Sequence, residues 1–253
     1  MKKIKRKAGG SLGKLPEYVV GYAAPDPLPP GFLSAWFNQE YGGPLTIKLA
    51  RDPESPSSFE AHHGPWAALV DTNLPPAIAD PWHERLRWGH SRAGQVLPLR
   101  LTGQDSRDLV LLVARLARGF TLLTGGTAHD VATDTYLNPS DWTERGLRTF
   151  QVADHLRIDE VAGRDDGRVW FHTRGLSKFG LEDLETYRPI GLSERPVIEA
   201  MTEIAEELIA RGKAPKVGEQ VLVEGLKRVV RVVRHRTDQS YGIRLNLREV
   251  EWD

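Results

Sequence analysis

The chain contains no cysteine among its 253 residues. That absence excludes disulfides, thiolate nucleophiles, cysteine-bound zinc and iron–sulfur clusters. Any metal would need histidine and carboxylate ligands. Neither sign of charge is in excess, since 34 Lys and Arg stand against 34 Asp and Glu. The molecule as a whole is therefore not drawn to nucleic acid or to a membrane surface. No apolar run approaches the roughly 18 residues of a membrane span. Residues 9–13 read G-G-S-L-G behind the basic start, where a secretory leader would carry an apolar stretch, so a cytoplasmic protein is expected. There is no G-x-G-x-x-G dinucleotide fingerprint, and no cofactor is implied.

What remains is an ordinary globular composition, 40% hydrophobic and 27% charged, long enough to bury a sizeable core. Lys2, Lys3, Lys5, Arg6, Lys7 and Lys14 face no acidic residue over residues 1–15, which read as a flexible basic arm. The G-G-S-L-G-K within it is not a phosphate loop, because Ala8 stands for the first glycine and Leu15 for the Ser or Thr. Residues 16–215 read as the main domain. Strands are predicted at 17–23, 45–50, 66–70 and 96–101 from short apolar or alternating runs. Helices are predicted over 31–41, where Phe32, Ala35, Trp36 and Gln39 recur at helical spacing, and over 80–90 behind Asp80 and Pro81. A third helix runs from Asp105 or Ser106 to Gly119, with a strand expected at 120–124, making a strand–helix–strand unit of ferredoxin-like kind. His62 and His63 read as part of a solvated loop and 128–137 as turn-rich, while Asn138 opens one helical turn.

The second half begins with strand-like segments at 149–152 and 156–161. Asp165-Asp166-Gly167 is a hairpin turn, so 169–174 is the returning strand. Alternation puts Val169, Phe171 and Thr173 on one face and Trp170, His172 and Arg174 on the other. Helix 194–211 follows Ser193 as its cap. Its stripe is Val197, Ile198, Met201, Ala205, Leu208 and Ile209, its outer face is acidic, and Gly212 ends it. Residues 216–253 read as a β-rich extension, either a small appendage or extra strands on the main sheet.

The stretch at 173–185 reads T-R-G-L-S-K-F-G-L-E-D-L-E. With the order of segments around it, it resembles a family of uncharacterised bacterial proteins known only as domain of unknown function number 4261. The similarity rests on Gly175, Leu176, Phe179, Gly180, Leu184 and Glu185 and extends over residues 60–225. It implies a fold and a bacterial origin and brings no activity with it.

Three groups of residues are candidates for chemistry. His172, Arg174 and Glu185 are the catalytic candidates, around a groove in which Arg174, with Lys178, could grip a carboxylate or phosphate and His172 could accept a proton. An Arg174–Glu185 salt bridge would explain the same residues without a function. His129, Asp130 and Asp134 are metal candidates at a spacing that matches no known zinc pattern. Arg228, Arg231, Arg234 and Arg236 form the best basic patch for nucleic acid, although pairing with the acidic helix at 199–207 accounts for them as well, and few aromatic residues lie nearby for stacking.

The expectation is an α+β fold: a mixed or antiparallel sheet with helices mainly on one face and ferredoxin-like elements, plus the C-terminal β extension. The expected function is a non-enzymatic protein-interaction or ligand-binding module, with an unknown protein partner, no membrane and nucleic acid disfavoured. A hydrolase-like enzyme using His172, Arg174 and Glu185 is the first alternative. Nucleic-acid binding through residues 228–236 is the second.

Overall fold

The computed structural model describes residues 16–49, 58–72, 74–86, 94–102, 106–162, 167–191, 193–238 and 245–252. The basic arm, His90, Asp105 and the D-D of the hairpin turn lie outside the described residues. β1 (Tyr18–Tyr22) is buried along its whole length, because alternate side chains enter two layers. Val20 joins Leu97 of β5 (Gln95–Leu101) and the apolar stripe of α3 (Arg107–Thr124). Val19 joins Val96, Trp82 and Leu86 on the opposite side. β1 runs antiparallel to both β5 and β6 (Thr127–Asp130). β5 and β6 are therefore parallel to each other, linked by α3, with β1 inserted between them.

The remaining strands of this sheet are β2 (Leu45–Leu49), β3 (Phe59–His63), β4 (Trp66–Val70) and β7 (Thr135–Leu137), in the order β2-β3-β4-β5-β1-β6-β7. Every neighbouring pair is antiparallel. Against the expected loop, His62 and His63 belong to β3, which pairs on both sides. Backbone groups in a sheet interior need partners, and β2 and β4 supply them to a segment with weak strand character of its own. The turn-rich 128–137 is likewise the β6–β7 hairpin.

α1 (Pro30–Tyr41) and α3 cover one face of this sheet, and α2 (Pro76–Leu86) covers the other. The Ser106 hydroxyl accepts the Leu109 N–H at 3.2 Å to start α3. The helix does not stop at Gly119. It continues through 120–124, so the strand expected there is corrected to the last helical turn, closed by Gly125 with φ 65°. Gly119 is needed for a different reason: a side-chain carbon there would lie 2.7 Å from the Trp36 ring and 2.9 Å from Leu33 of α1. Close approach of two helices, not chain termination, selects glycine. α2 begins at Pro76, four residues before the start predicted at Asp80, and carries Pro81 inside it.

The second sheet has the order β11-β12-β13-β10-β9-β8. Its strands are β8 (Arg157–Val161), β9 (Arg168–Arg174), β10 (Asp183–Pro189), β11 (Gln220–Val223), β12 (Arg228–Asp238) and β13 (Leu245–Trp252). Residues 149–152 form no strand, and a 3-10 turn stands at Val152–Asp154. β13 pairs parallel with β10, and β12 pairs antiparallel with β13. The C-terminal strands are thus part of one sheet with the motif strands. α4 (Pro139–Thr143), with a capping box at Asn138 and Asp141, leads from the first sheet toward the second. α5 (Arg195–Arg211) buries Val197, Met201, Ala205, Leu208 and Ile209 as its stripe predicts, and each fully buried residue of this kind contributes about 1.5–3 kcal/mol. Its N-cap is Glu194 rather than Ser193, and Ile198 is half exposed. One core cluster runs from β1 and α3 through Phe171 and Leu184 to Val230 and Val250. Helices and two mostly antiparallel sheets make the fold α+β. Among the described residues no helix is long and apolar enough to cross a membrane.

Candidate functional site

The alternation predicted for β9 is observed: Val169 and Phe171 enter the main core, while Trp170, His172 and Arg174 stand on the other face. Antiparallel pairing then aligns Asp159 of β8, His172 of β9 and Glu185 of β10 in one row across the sheet. Arg157 stands opposite Arg174 in the next row. The row brings together only part of the expected constellation.

Glu185 is fully buried and committed elsewhere. Arg236 donates to it through Nε at 2.7 Å and Nη2 at 2.5 Å, and the Trp170 indole N–H donates at 2.8 Å. The Tyr187 hydroxyl lies 3.3 Å away, and Arg236 also binds Asp238 and lies over the Trp170 ring. The Glu185 and Asp238 carboxylates outweigh burial and push the Arg236 guanidinium pKa up, the Glu185 hydrogen bonds contributing most. Glu185 is therefore a structural counter-ion, and the Arg174–Glu185 bridge is not formed. The long reach of Arg236 meets Glu185 first, across β13.

His172 and Arg174 instead meet two aspartates. The His172 Nε2 lies 3.5 Å from Asp159, and its ring stacks on Trp170 at 4.1 Å. Arg174 approaches Asp134 at 3.7 Å and Asp159 at 3.8 Å. Asp134 sits in the β6–β7 turn with φ 55°, a left-handed conformation that Asp and Asn tolerate, and its carboxylate is 2.9 Å from His129. Arg157 closes the edge, 2.6 Å from Asp159. Asp134, Arg157, Asp159, Glu160, Val161, His172 and Arg174 line an open cleft of about 350 Å³. The His172 Nδ1 and Arg174 Nε atoms are closed off from solvent and have no hydrogen-bond partner. Burial pushes the His172 pKa down, against the pull of Asp159, so its imidazole is neutral. Burial also tends to raise Asp134, but the His129 hydrogen bond and the Arg174 charge hold its carboxyl below the usual range.

Lys178 does not reach the cleft. It is 2% exposed and lies 2.5 Å from Asp130, with its ammonium 5.4 Å from the Tyr18 ring centre. This pair ties the 3-10 turn Leu176–Phe179 to the first sheet. Gly175 and Gly180 bracket that turn with φ 118° and 69°, backbone that other residues adopt at a cost. A side-chain carbon at Gly175 would also lie 2.5 Å from the His155 carbonyl oxygen. Of the metal candidates, His129 and Asp134 meet at 2.9 Å, while Asp130 turns away to Lys178. Among the described residues no three His, Asp or Glu side chains are grouped to hold a metal ion.

Asp183 anchors the same loop. Its Oδ1 accepts the Thr173 hydroxyl at 3.0 Å and the Leu176 N–H at 3.1 Å. Complete burial raises its pKa to about 7 despite these bonds and the Arg174 and Lys178 charges. The folded-state pKa is raised, so its contribution to stability is full below the unfolded value of about 3.9 and is lost as pH rises through about 7. Urea denaturation should show wild type losing roughly 2–4 kcal/mol relative to Asp183→Asn between pH 4 and pH 8. Parallel pH profiles for the two proteins would refute the raised pKa.

The basic strand is paired within its own sheet. Arg231 lies 3.3 Å from Glu251 and Arg234 2.9 Å from Glu249, both on β13. Arg228 is exposed at the start of β12. Arg231, Arg234 and Arg236 thus pair with neighbouring strands and not with helix 199–207, since cross-strand neighbours are closer than the outer face of a helix. Arg157 and Asp159 are the site residues that the sequence reading missed, because the register that sets them opposite Arg174 and His172 depends on a turn length that the sequence leaves open. The chain matches no protein-family model, no curated protein and no solved structure.

Proposed function

We propose that the protein is a non-enzymatic small-ligand-binding module whose site is the cleft between β8, β9 and the β6–β7 turn. The observation that carries this reading is the Arg174 guanidinium lining an open cavity with its two carboxylate neighbours, Asp134 and Asp159, standing at 3.7 and 3.8 Å. A guanidinium without a close charged acceptor gains from a bound one. The bacterial, cytoplasmic setting and the kinship with domain of unknown function 4261 belong to the same proposal. The test is to incubate the purified chain with a low-molecular-weight cell extract and identify what it retains by native mass spectrometry. Wild type should retain a small molecule that Arg174→Gln does not. Retention of nothing, or of the same molecule by both, would sink the reading.

A hydrolase-like enzyme is the second reading, and the 3.5 Å approach of Asp159 to a neutral His172 favours it. Asp159 would replace Glu185 as the group that orients the imidazole, and His172 would take a proton from water.

A further inference from the structure

The charges around the cleft restrict what it can hold. Arg174 is 7% exposed. A guanidinium so far from water calls for an acceptor, and a charged one binds best. Its two nearest carboxylates, on Asp134 and Asp159, stand at 3.7 and 3.8 Å, beyond hydrogen-bonding distance. An anion that meets Arg174 therefore enters the field of both aspartates. A bare cation that meets the aspartates enters the field of Arg174 and of Arg157 at the edge. Either ligand gains on one side and loses on the other. A molecule carrying both charges a few ångströms apart gains on both sides.

Shape and polarity narrow the class further. The lining is polar apart from Val161, and it includes no Phe, Tyr or Trp ring on which a sugar or a base could lie. Trp170 is nearby, but His172 covers one face of it. A volume of about 350 Å³ is at the small end for ligand sites.

We infer that the cleft takes a free zwitterionic amino acid with a small or polar side chain, its carboxylate on Arg174 and its ammonium between Asp134 and Asp159. This inference rests on the ligand-binding reading above and names its ligand class.

The test is isothermal titration calorimetry of the full chain at pH 7 and low salt. The probes are a panel of the standard amino acids, with acetate as anion alone, methylammonium as cation alone and glucose as neutral polyol. At least one amino acid should bind at least tenfold more tightly than acetate, methylammonium or glucose. Asp134→Asn keeps the side-chain shape and suits the left-handed backbone, so it should fold normally and still weaken that amino acid at least tenfold. Arg174→Gln should abolish binding; if it does not fold, Asp134→Asn carries the test. Acetate binding as tightly as the amino acid, glucose binding alone, or no change in Asp134→Asn would overturn the inference. Should every amino acid fail while the extract still yields an Arg174-dependent molecule, the class is wrong and the cleft stands. Failure of both experiments removes both readings.

Discussion

Lys178→Met is expected to lower the free energy of unfolding by about 3–5 kcal/mol. The substitution preserves length and apolar bulk and removes only the charge. What it leaves is the Asp130 carboxylate, 2% exposed and deprived of the ammonium at 2.5 Å. The Thr133 N–H at 3.2 Å remains as a donor, but a neutral donor does not replace a cation in a site closed to water. The Tyr18 hydroxyl beside Asp130 is itself held protonated, mostly by burial and then by the Asp130 charge. Asp130→Asn in the Lys178→Met background should recover much of the loss, because the cost lies in the unpaired charge and not in the missing contact. Urea denaturation of the two single variants and the double variant measures it. A loss below about 1 kcal/mol for Lys178→Met would mean that water reaches Asp130.

Arg236→Met should be comparably damaging, and the neighbouring arginines supply the control. Glu185 is fully buried and receives two hydrogen bonds from Arg236. Its remaining partners, Trp170 and Tyr187, are neutral. Removal of the guanidinium is expected to cost about 3–5 kcal/mol, or roughly 10 °C in Tm for a chain of this length. Arg231→Met removes the same charge from the same strand, but the Arg231–Glu251 pair is more than half exposed at both ends. It should cost about 0–1 kcal/mol. Equal losses from the two variants would contradict the burial contrast on which the expectation stands.

The motif that drew attention in the sequence is thus mainly a joint. Gly175 and Gly180 shape the turn, Lys178 pins it to the first sheet and Asp183 pins it to Thr173 and Leu176. The joint holds Arg174 at the boundary between the two sheets, next to the β6–β7 turn that supplies Asp134. Of the residues singled out separately as metal, ligand and catalytic candidates, His129, Asp134, His172 and Arg174 are neighbours around the cleft, while Lys178 with Asp130 and Glu185 with Arg236 pair away from it.

Features encoded over a few residues were readable in advance. The stripe of α5, the Ser106 cap of α3, the Asn138 turn and the placing of His172 and Arg174 on one face of β9 all follow from local periodicity or capping. Asp159 was not, because the register of the 157–174 hairpin depends on a turn length that the sequence leaves open. Nor were features that depend on distant partners. β3 is a strand because β2 and β4 pair with it, residues 120–124 are helical because they continue a helix already seated on the sheet, and β10 is bordered by a strand more than fifty residues later. The same limit governs the charges: Asp130 meets Lys178 from 48 positions away and Glu185 meets Arg236 from 51. Local sequence sets which face of a strand a side chain occupies, since that depends on backbone period alone. Which opposite charge it meets there is settled when non-adjacent strands come together and exclude water, which no short stretch of chain encodes.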